Sequence, residues 1–319
     1  MSKKKIFLSL FILSVIALII VNPKQNIASC LDGTMLWVKS IMPALFPFFF
    51  LTSLLSELGL ILKLGNAFSP LTKKLYKTSG ISGYIFAMSI ISGYPVGAKI
   101  TAELYEKGVL SKGQASKTTT FTSTSGPLFI VGTVGANMFD SSKLGYLILL
   151  CHILGSFING ILYRNTFLEK QPEILITSIK RKNVLEDTMY GAIKSVLIVG
   201  GYIVVFFMII NMINRYNLLY PLNSFLALIT HSNISTTRAI TNGIIEVTRG
   251  CLDLSVFGLS SKKALVFCTG LISFGGISII MQALTFLKRF NISTWFFIKS
   301  KITQTIISVL IALLFTVFV

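Results

Sequence analysis

The sequence predicts an all-α, polytopic membrane protein made of two inverted repeats, each with a re-entrant helical hairpin and an interrupted transmembrane helix. Three observations predict it. Of 319 residues, 53% are hydrophobic and 13% charged, with a mean hydropathy of +0.78; soluble domains carry about a quarter charged residues. Apolar runs near 6–21, 35–62, 144–163, 195–213, 264–287 and 302–319 are candidates to cross about 30 Å of hydrocarbon, where lipid leaves the backbone no partner outside its own helix. Finally, residues 91–112 and 241–262 repeat a pattern of glycines, charges and hydroxyls: Gly93 pairs with Gly243, Lys99 with Arg249, Glu103 with Asp253, Gly108 with Gly258, and Ser111-Lys112 with Ser261-Lys262.

Lys3 to Lys5 hold the N-terminus in the cytoplasm by the positive-inside rule, so residues 1–34 read as an outward transmembrane helix and an outside loop. A cleaved leader is the weaker reading, because Asn22 to Asn26 separate the apolar run from Ile27-Ala28-Ser29-Cys30. The second run returns to Lys63, Lys73, Lys74 and Lys77. Arg164, Lys170 and Lys180 to Lys182 also fall inside, as do Lys288, Arg289, Lys299 and Lys301 before the last helix. Topology therefore accounts for the net charge of +18 better than nucleic acid does, since the cations flank apolar runs and do not line one aromatic-studded face.

Repeat 1 is read as 35–163, a cytoplasmic basic linker as 164–184, and repeat 2 as 185–319. The offset that aligns the two motifs also lays 42–55 on 192–205, and Ser123 and Gly126 on Ser273 and Gly276. Repeat 1 starts from outside and repeat 2 from inside, so the two are inverted. Secondary transporters use this construction, with substrate held where the repeats meet.

Residues 81–91 are apolar but too short to cross alone. They lead into Ser92-Gly93-Tyr94-Pro95-Val96-Gly97 and an amphipathic helix ending near Lys107, a hairpin over about 81–108 with an irregular tip. The second hairpin is expected over about 221–258, with its tip near Asn242 to Thr248. Helices 118–139 and 264–287 carry small polar centres, TSTSGP with Ser123, Thr124, Ser125 and Gly126, and SFGG with Ser273, Gly275 and Gly276. Such centres either free backbone groups for a ligand or cation or allow close helix packing.

Lys99 and Arg249 follow the two tips, each with an acid four positions on. They form (i, i+4) ion pairs with Glu103 and Asp253, or they face a substrate bearing two carboxylates, helped by amides at helix N-termini. Glu246 in the second tip stands opposite Val96 and has no acidic counterpart. It is a candidate to bind a proton, a cation or substrate, or to pair with Arg249. With Ser92, Gly93, Tyr94, Asn242 and Gly243 these residues complete the candidate substrate site.

No catalytic or metal-binding set is expected. His152 and His231 have no ligand partner at useful spacing, and there is no phosphate-cradling Gly-Lys loop or GxSxG elbow. Cys30, Cys151, Cys251 and Cys268 read as small packing residues. No cofactor is expected, and a coupling cation, Na+ or H+, is left open.

The motifs SGYPVGAK, TSTSGPLFIVGTVG, NGIIEVTRG and SFGGIS, in that order, resemble the YlbJ/SpoVV family of sporulation integral membrane proteins. That family bears the Gate, or nucleoside-recognition, domain and is distantly similar to concentrative nucleoside transporters. The resemblance covers nearly the whole chain after the first helix. It implies two re-entrant hairpins and two partly unwound helices around a substrate. It also implies transport of dipicolinic acid, a small aromatic dicarboxylate, from the mother cell across the outer forespore membrane. Two carboxylates suit Lys99 and Arg249. The GQTEAP-like tip of nucleoside transporters is absent at Ser92 to Gly97, which argues against a nucleoside, while Asn242 and Glu246 stand where those transporters also use polar residues. The alternatives are a nucleoside or nucleobase transporter and a non-transporting scaffold for spore assembly. The expected partners are a small anionic substrate and the lipid bilayer, with homo-oligomerisation open.

Overall fold

The computed structural model describes residues 3–58, 60–167 and 183–318. Most of the expected basic linker, with Lys170 and Lys180 to Lys182, lies outside the described residues. Among the described residues there is no strand, and the elements are helices throughout. Ser142–Leu162, Val184–Arg215, Ser261–Phe290 and Thr294–Phe318 are long and apolar enough to cross a membrane, and the bent pair Ile12–Val21 and Pro23–Lys39 makes a fifth if taken as one span.

Helix α1 (Lys3–Val21) does not lead into a loop. The bent pair turns by 107° at Asn22, and the chain continues as α2 (Pro23–Leu36), a π-helical stretch (Trp37–Ile41) and α3 (Met42–Glu57). The outside loop expected up to residue 34 is therefore corrected to helix. Pro23 starts it, since a proline in the first turn lacks only an N–H that would be unpaired there anyway. The polar residues that suggested a loop serve the elbow: Asn26 Nδ2 donates to the Leu18 carbonyl at 3.0 Å, closing the end of α1. Asn22 Nδ2 donates to the Tyr216 hydroxyl at 2.6 Å, docking the elbow beside the end of the span Val184–Arg215. The run expected over 35–62 is likewise split, into α3 and α4 (Leu60–Tyr76). The split follows Glu57, whose carboxylate takes a 2.9 Å ion pair from Lys107.

Helices α5 (Gly80–Ser92) and α6 (Val96–Glu106) form the first hairpin. Helix α7 (Lys112–Thr118) opens with a reciprocal capping box between Ser111 and Gln114 and stops early. Residues 119–127 are irregular and mostly buried, and helical structure resumes only in a π-helical stretch (Leu128–Met138) after Pro127. The hydroxyls explain the stop. Thr118 and Thr120 donate to the Gln114 and Lys117 carbonyls at 2.7 Å each, so side chains compete with the helical ladder.

After α8 (Ser142–Leu162) and α9 (Val184–Arg215) comes α10 (Tyr220–Thr230), which ends at His231 in a left-handed conformation (φ 49). The second hairpin is α11 (Ile234–Ile245) and α12 (Val247–Val256), so its first arm begins at 234 and not 221. Helix α10 stays docked on it, with Thr237 and Thr241 donating to the Asn223 carbonyl and Oδ1 at 2.9 Å each. The second broken helix is α13 (Ser261–Phe274) and α14 (Gly276–Leu287), separated where Gly275 and Gly276 take φ values of 86 and 71, a region glycine enters without strain. The last helix is α15 (Thr294–Phe315).

The hairpins exchange partners across the molecule. Ile85, Val96 and Ile100 of the first share a core with Ile280 and Phe286 of α14 and Phe49 of α3. Ala239, Val247 and Leu254 of the second share one with Ile130 and Val134 of the first π-broken helix and Ile148 of α8. Because lipid is as apolar as these side chains, fit rather than water exclusion holds such contacts.

Asn159 ties three elements together. Its Nδ2 donates to the Thr120 carbonyl at 2.7 Å and the Ser300 carbonyl at 3.2 Å, and its Oδ1 accepts from Thr303 at 2.7 Å. Asn159→Leu takes the side-chain donor from the Thr120 carbonyl in a buried place, at about 1–3 kcal/mol, while Thr303 and the Ser300 carbonyl keep each other at 3.0 Å. The expected result is a lower thermal midpoint in detergent; an unchanged midpoint would show the network to be dispensable.

Candidate functional site

Each hairpin tip lies on the break of its own half, backbone against backbone. At the first tip Gly93 has φ 78, and a β-carbon on it would stand 2.5 Å from the Gly126 nitrogen. At the second, a β-carbon on Gly276 would stand 3.0 Å from the Gly243 carbonyl oxygen. The two contacts are related by the same 150-residue offset that aligns the sequence motifs (93 to 243, 126 to 276).

Between the two tips and the first break is a cavity, which Asn242, Gly243, Ser273, Gly275 and Gly276 do not line. Its polar wall holds Ser92, Gly93, Tyr94, Ser125, Gly126, Glu246 and Thr248 with Gln282 of α14; its apolar wall holds Ile41, Leu45, Phe129, Val199 and Ile203. The Ser92 hydroxyl is buried with no partner in the protein, which leaves it available to a ligand. Thr124, also buried with an unpartnered hydroxyl, does not line the cavity.

His152 joins the two breaks. It is fully buried, its Nε2 accepts the Ser125 N–H at 2.9 Å, and its Nδ1 lies 2.9 Å from Ser273 Oγ. Because an amide can only donate, Nε2 is unprotonated, and the ring proton sits on Nδ1 and points at Ser273.

Lys301 corrects the topological reading. It is not a cytoplasmic cation ahead of the last helix but lies inside α15 at 1% exposure. Its Nζ donates to the Ser123 carbonyl at 3.0 Å, to Gln304 Oε1 at 2.9 Å and to the Tyr94 hydroxyl, which itself donates to the Ser123 carbonyl. The Tyr94 ring also reaches the second break: a β-carbon on Gly275 would stand 3.7 Å from its Cζ.

Lys99 and Arg249 do not line this cavity. Lys99 Nζ is 3.9 Å from the Glu103 carboxylate, donates to Ser53 Oγ at 3.2 Å and sits over the Phe49 ring. Arg249 Nε pairs with Asp253 at 2.9 Å, and Asn242 Nδ2 donates to the other Asp253 oxygen at 2.7 Å. These three side chains brace the second hairpin, whose arms cross where Gly243 meets Gly250.

Glu246 lines the cavity, yet its oxygens accept the first amides of α12, Thr248 N–H at 3.1 Å and Arg249 N–H at 2.8 Å. The carboxylate thus caps the helix N-terminus that the sequence reading offered to substrate. Glu246→Ala is expected to cost about 0.5–2 kcal/mol in unfolding free energy, and Glu246→Gln, which keeps one acceptor, less. Equal losses in the two variants would show that the cap itself is not what Glu246 provides.

Among the described residues no group of three or more His, Cys, Asp and Glu side chains is placed to hold a metal ion. His152, Lys301, Gln282 and Thr248 were not among the residues expected at the site. The available signal was a lone histidine, His152, in apolar surroundings, where polar groups are costly without a role; Lys301, two residues after Lys299, carried no such signal.

Residues 38–142 match the family model described as nucleoside recognition, Gate. The chain is 25% identical to the sporulation integral membrane protein YlbJ of Bacillus subtilis (strain 168), over 95% of this chain and 81% of that protein. A solved structure of a CNTnw variant, a concentrative nucleoside transporter in an outward-facing state, matches with a TM-score of 0.56 at 16% identity, over 89% of this chain and 77% of the transporter's. The chain is therefore an integral membrane protein similar to YlbJ along nearly all its length, with the fold of a nucleoside transporter.

Proposed function

We propose that the protein is a transporter of dipicolinic acid, carrying this small aromatic dicarboxylate from the mother cell across the outer forespore membrane, with its own N-terminus in the cytoplasm. The observation that carries the reading is the cavity lined by both hairpin tips, the first helix break and α14. Backbone broken at membrane depth is tolerated where it lines such a cavity, and the hairpin tips are the elements that can part to open it. The shared transporter fold and the sporulation relative support the same reading. The two halves, 35–163 and 185–319, act as inverted repeats around the site, a view supported by the equivalent Gly93–Gly126 and Gly243–Gly276 contacts.

The first tip, Ser92 to Gly97, lacks the GQTEAP-like set that the resemblance leads one to expect of a nucleoside site. The tip presents Tyr94, the free Ser92 hydroxyl and backbone, and the carboxylate at the cavity, Glu246, is committed to α12. Nucleoside transport is the second reading, favoured by the description of the matching family model. Titration calorimetry on purified protein separates them. Saturable heat with dipicolinate and none with uridine or adenosine is expected; the reverse would establish the nucleoside reading.

A further inference from the structure

Lys301 is a fully buried lysine whose hydrogen-bond partners are all neutral oxygens: the Ser123 carbonyl, Gln304 Oε1 and the Tyr94 hydroxyl. Among the described residues no carboxylate pairs with it. An ammonium removed from water is stabilised fully only by an opposite charge, and neutral hydrogen bonds leave part of that cost unmet. Its position shows where the missing charge belongs. Nζ is 5.0 Å from the centroid of the Tyr94 ring and donates to its hydroxyl, and Tyr94 is part of the cavity wall, so Tyr94 links Lys301 to the site. Lys99 and Arg249, by contrast, already have carboxylate partners on their own helices.

We propose that Lys301 is the specificity-determining cation of this site. It sets a positive potential in the cavity that favours a small carboxylate anion over a neutral ligand of the same shape, and it acts through the Tyr94 wall without touching the ligand. The inference rests on the reading of the substrate as an anion. It assigns the charge selection to a single lysine of α15 in place of a pair of cations on the hairpins. Tyr94 holds the tip in place, and Lys301 is a positioning residue for Tyr94 as well as the source of the field.

The test uses two probes of one shape, dipicolinate and its neutral diamide, pyridine-2,6-dicarboxamide, with the ratio of their affinities measured by calorimetry on full-length protein. Wild type is expected to prefer the dianion. Lys301→Gln, which keeps polar contacts and removes the charge, is expected to shrink that preference at least tenfold, and Lys301→Arg to restore most of it. Tyr94→Phe removes the hydrogen bond while leaving the charge, so it should keep the preference even if overall affinity drops. An unchanged ratio in folded Lys301→Gln, or a ratio lost equally in Tyr94→Phe, overturns the inference and reduces Lys301 to a tie between α15 and the tip. If Lys301→Gln does not fold, Lys301→Met, of similar length and without the charge, decides in its place, and a ratio equal to wild type overturns the inference. Wild-type protein that binds a nucleoside and neither probe would overturn the proposed function, and this inference with it.

Discussion

Gly93→Ala stops transport, while Gly108→Ala leaves it running. Both glycines have positive φ, 78 and 71, so both substitutions carry a conformational penalty, about 1–2 kcal/mol for a left-handed residue and about 1–3 kcal/mol at Gly93, whose ψ of −168 puts it in a region that glycine alone enters readily. They differ further in what the new methyl meets. At Gly108 nothing lies within 4 Å, whereas at Gly93 the β-carbon would stand 2.5 Å from the Gly126 backbone nitrogen. Backbone cannot yield as a flexible side chain can, so the tip must lift off the break. Overpacking of this kind costs about 1–3 kcal/mol in addition. Thermal unfolding in detergent and dipicolinate uptake into proteoliposomes check it: Gly108→Ala should unfold slightly earlier and transport normally, and Gly93→Ala should fail in both. Equal behaviour of the two would show that the tip does not rest on the break.

His152→Leu is expected to be the most damaging side-chain change outside the cavity. It leaves the Ser125 N–H and the Ser273 hydroxyl without their partner in a fully buried place. Each unsatisfied group costs about 1–3 kcal/mol, so the two together come to several kcal/mol of stability. The loss is also mechanical, because the imidazole is the link between the breaks and each break carries one hairpin tip. His152→Gln, with a donor and an acceptor on a flexible stem, should recover part of the stability. The measurement is the thermal midpoint of both variants with and without dipicolinate; a leucine variant as stable as wild type would show that the breaks hold their shape without the bridge.

Much of this architecture is legible in the chain because glycine, proline and hydroxyl residues mark backbone that cannot be plain helix. Ser92 to Gly97 forms the tip, TSTSGP forms the first break and Gly275-Gly276 the second, each where its residue types make a helical ladder hardest to sustain. The (i, i+4) spacing of Lys99 with Glu103 and Arg249 with Asp253 offered ion pairs as one of two readings, and both pairs form. Other features depend on tertiary placement. The polar residues after Asn22 resemble a loop until Asn26 is seen closing α1. Lys301 resembles a flanking charge because Lys299 precedes it and the apolar run starts after it, yet α15 begins seven residues earlier at Thr294 and carries Lys301 into the interior. Glu246 looks like an unpaired acid because its partners are main-chain amides, which a sequence does not display.

Chemical protection at the first tip tests the central claim, that dipicolinate sits between the hairpin tips, most directly. Ser92 lines the cavity with its hydroxyl unpartnered, whereas none of Cys30, Cys151, Cys251 and Cys268 lines it, and of these four Cys30 is the one not fully buried. In a Cys30→Ser background, the rate at which a small thiol reagent modifies Ser92→Cys is measured against dipicolinate concentration. The account predicts saturable protection by dipicolinate and none by uridine. Modification that dipicolinate leaves unchanged, at concentrations where calorimetry shows it bound, would contradict it and place the ligand elsewhere.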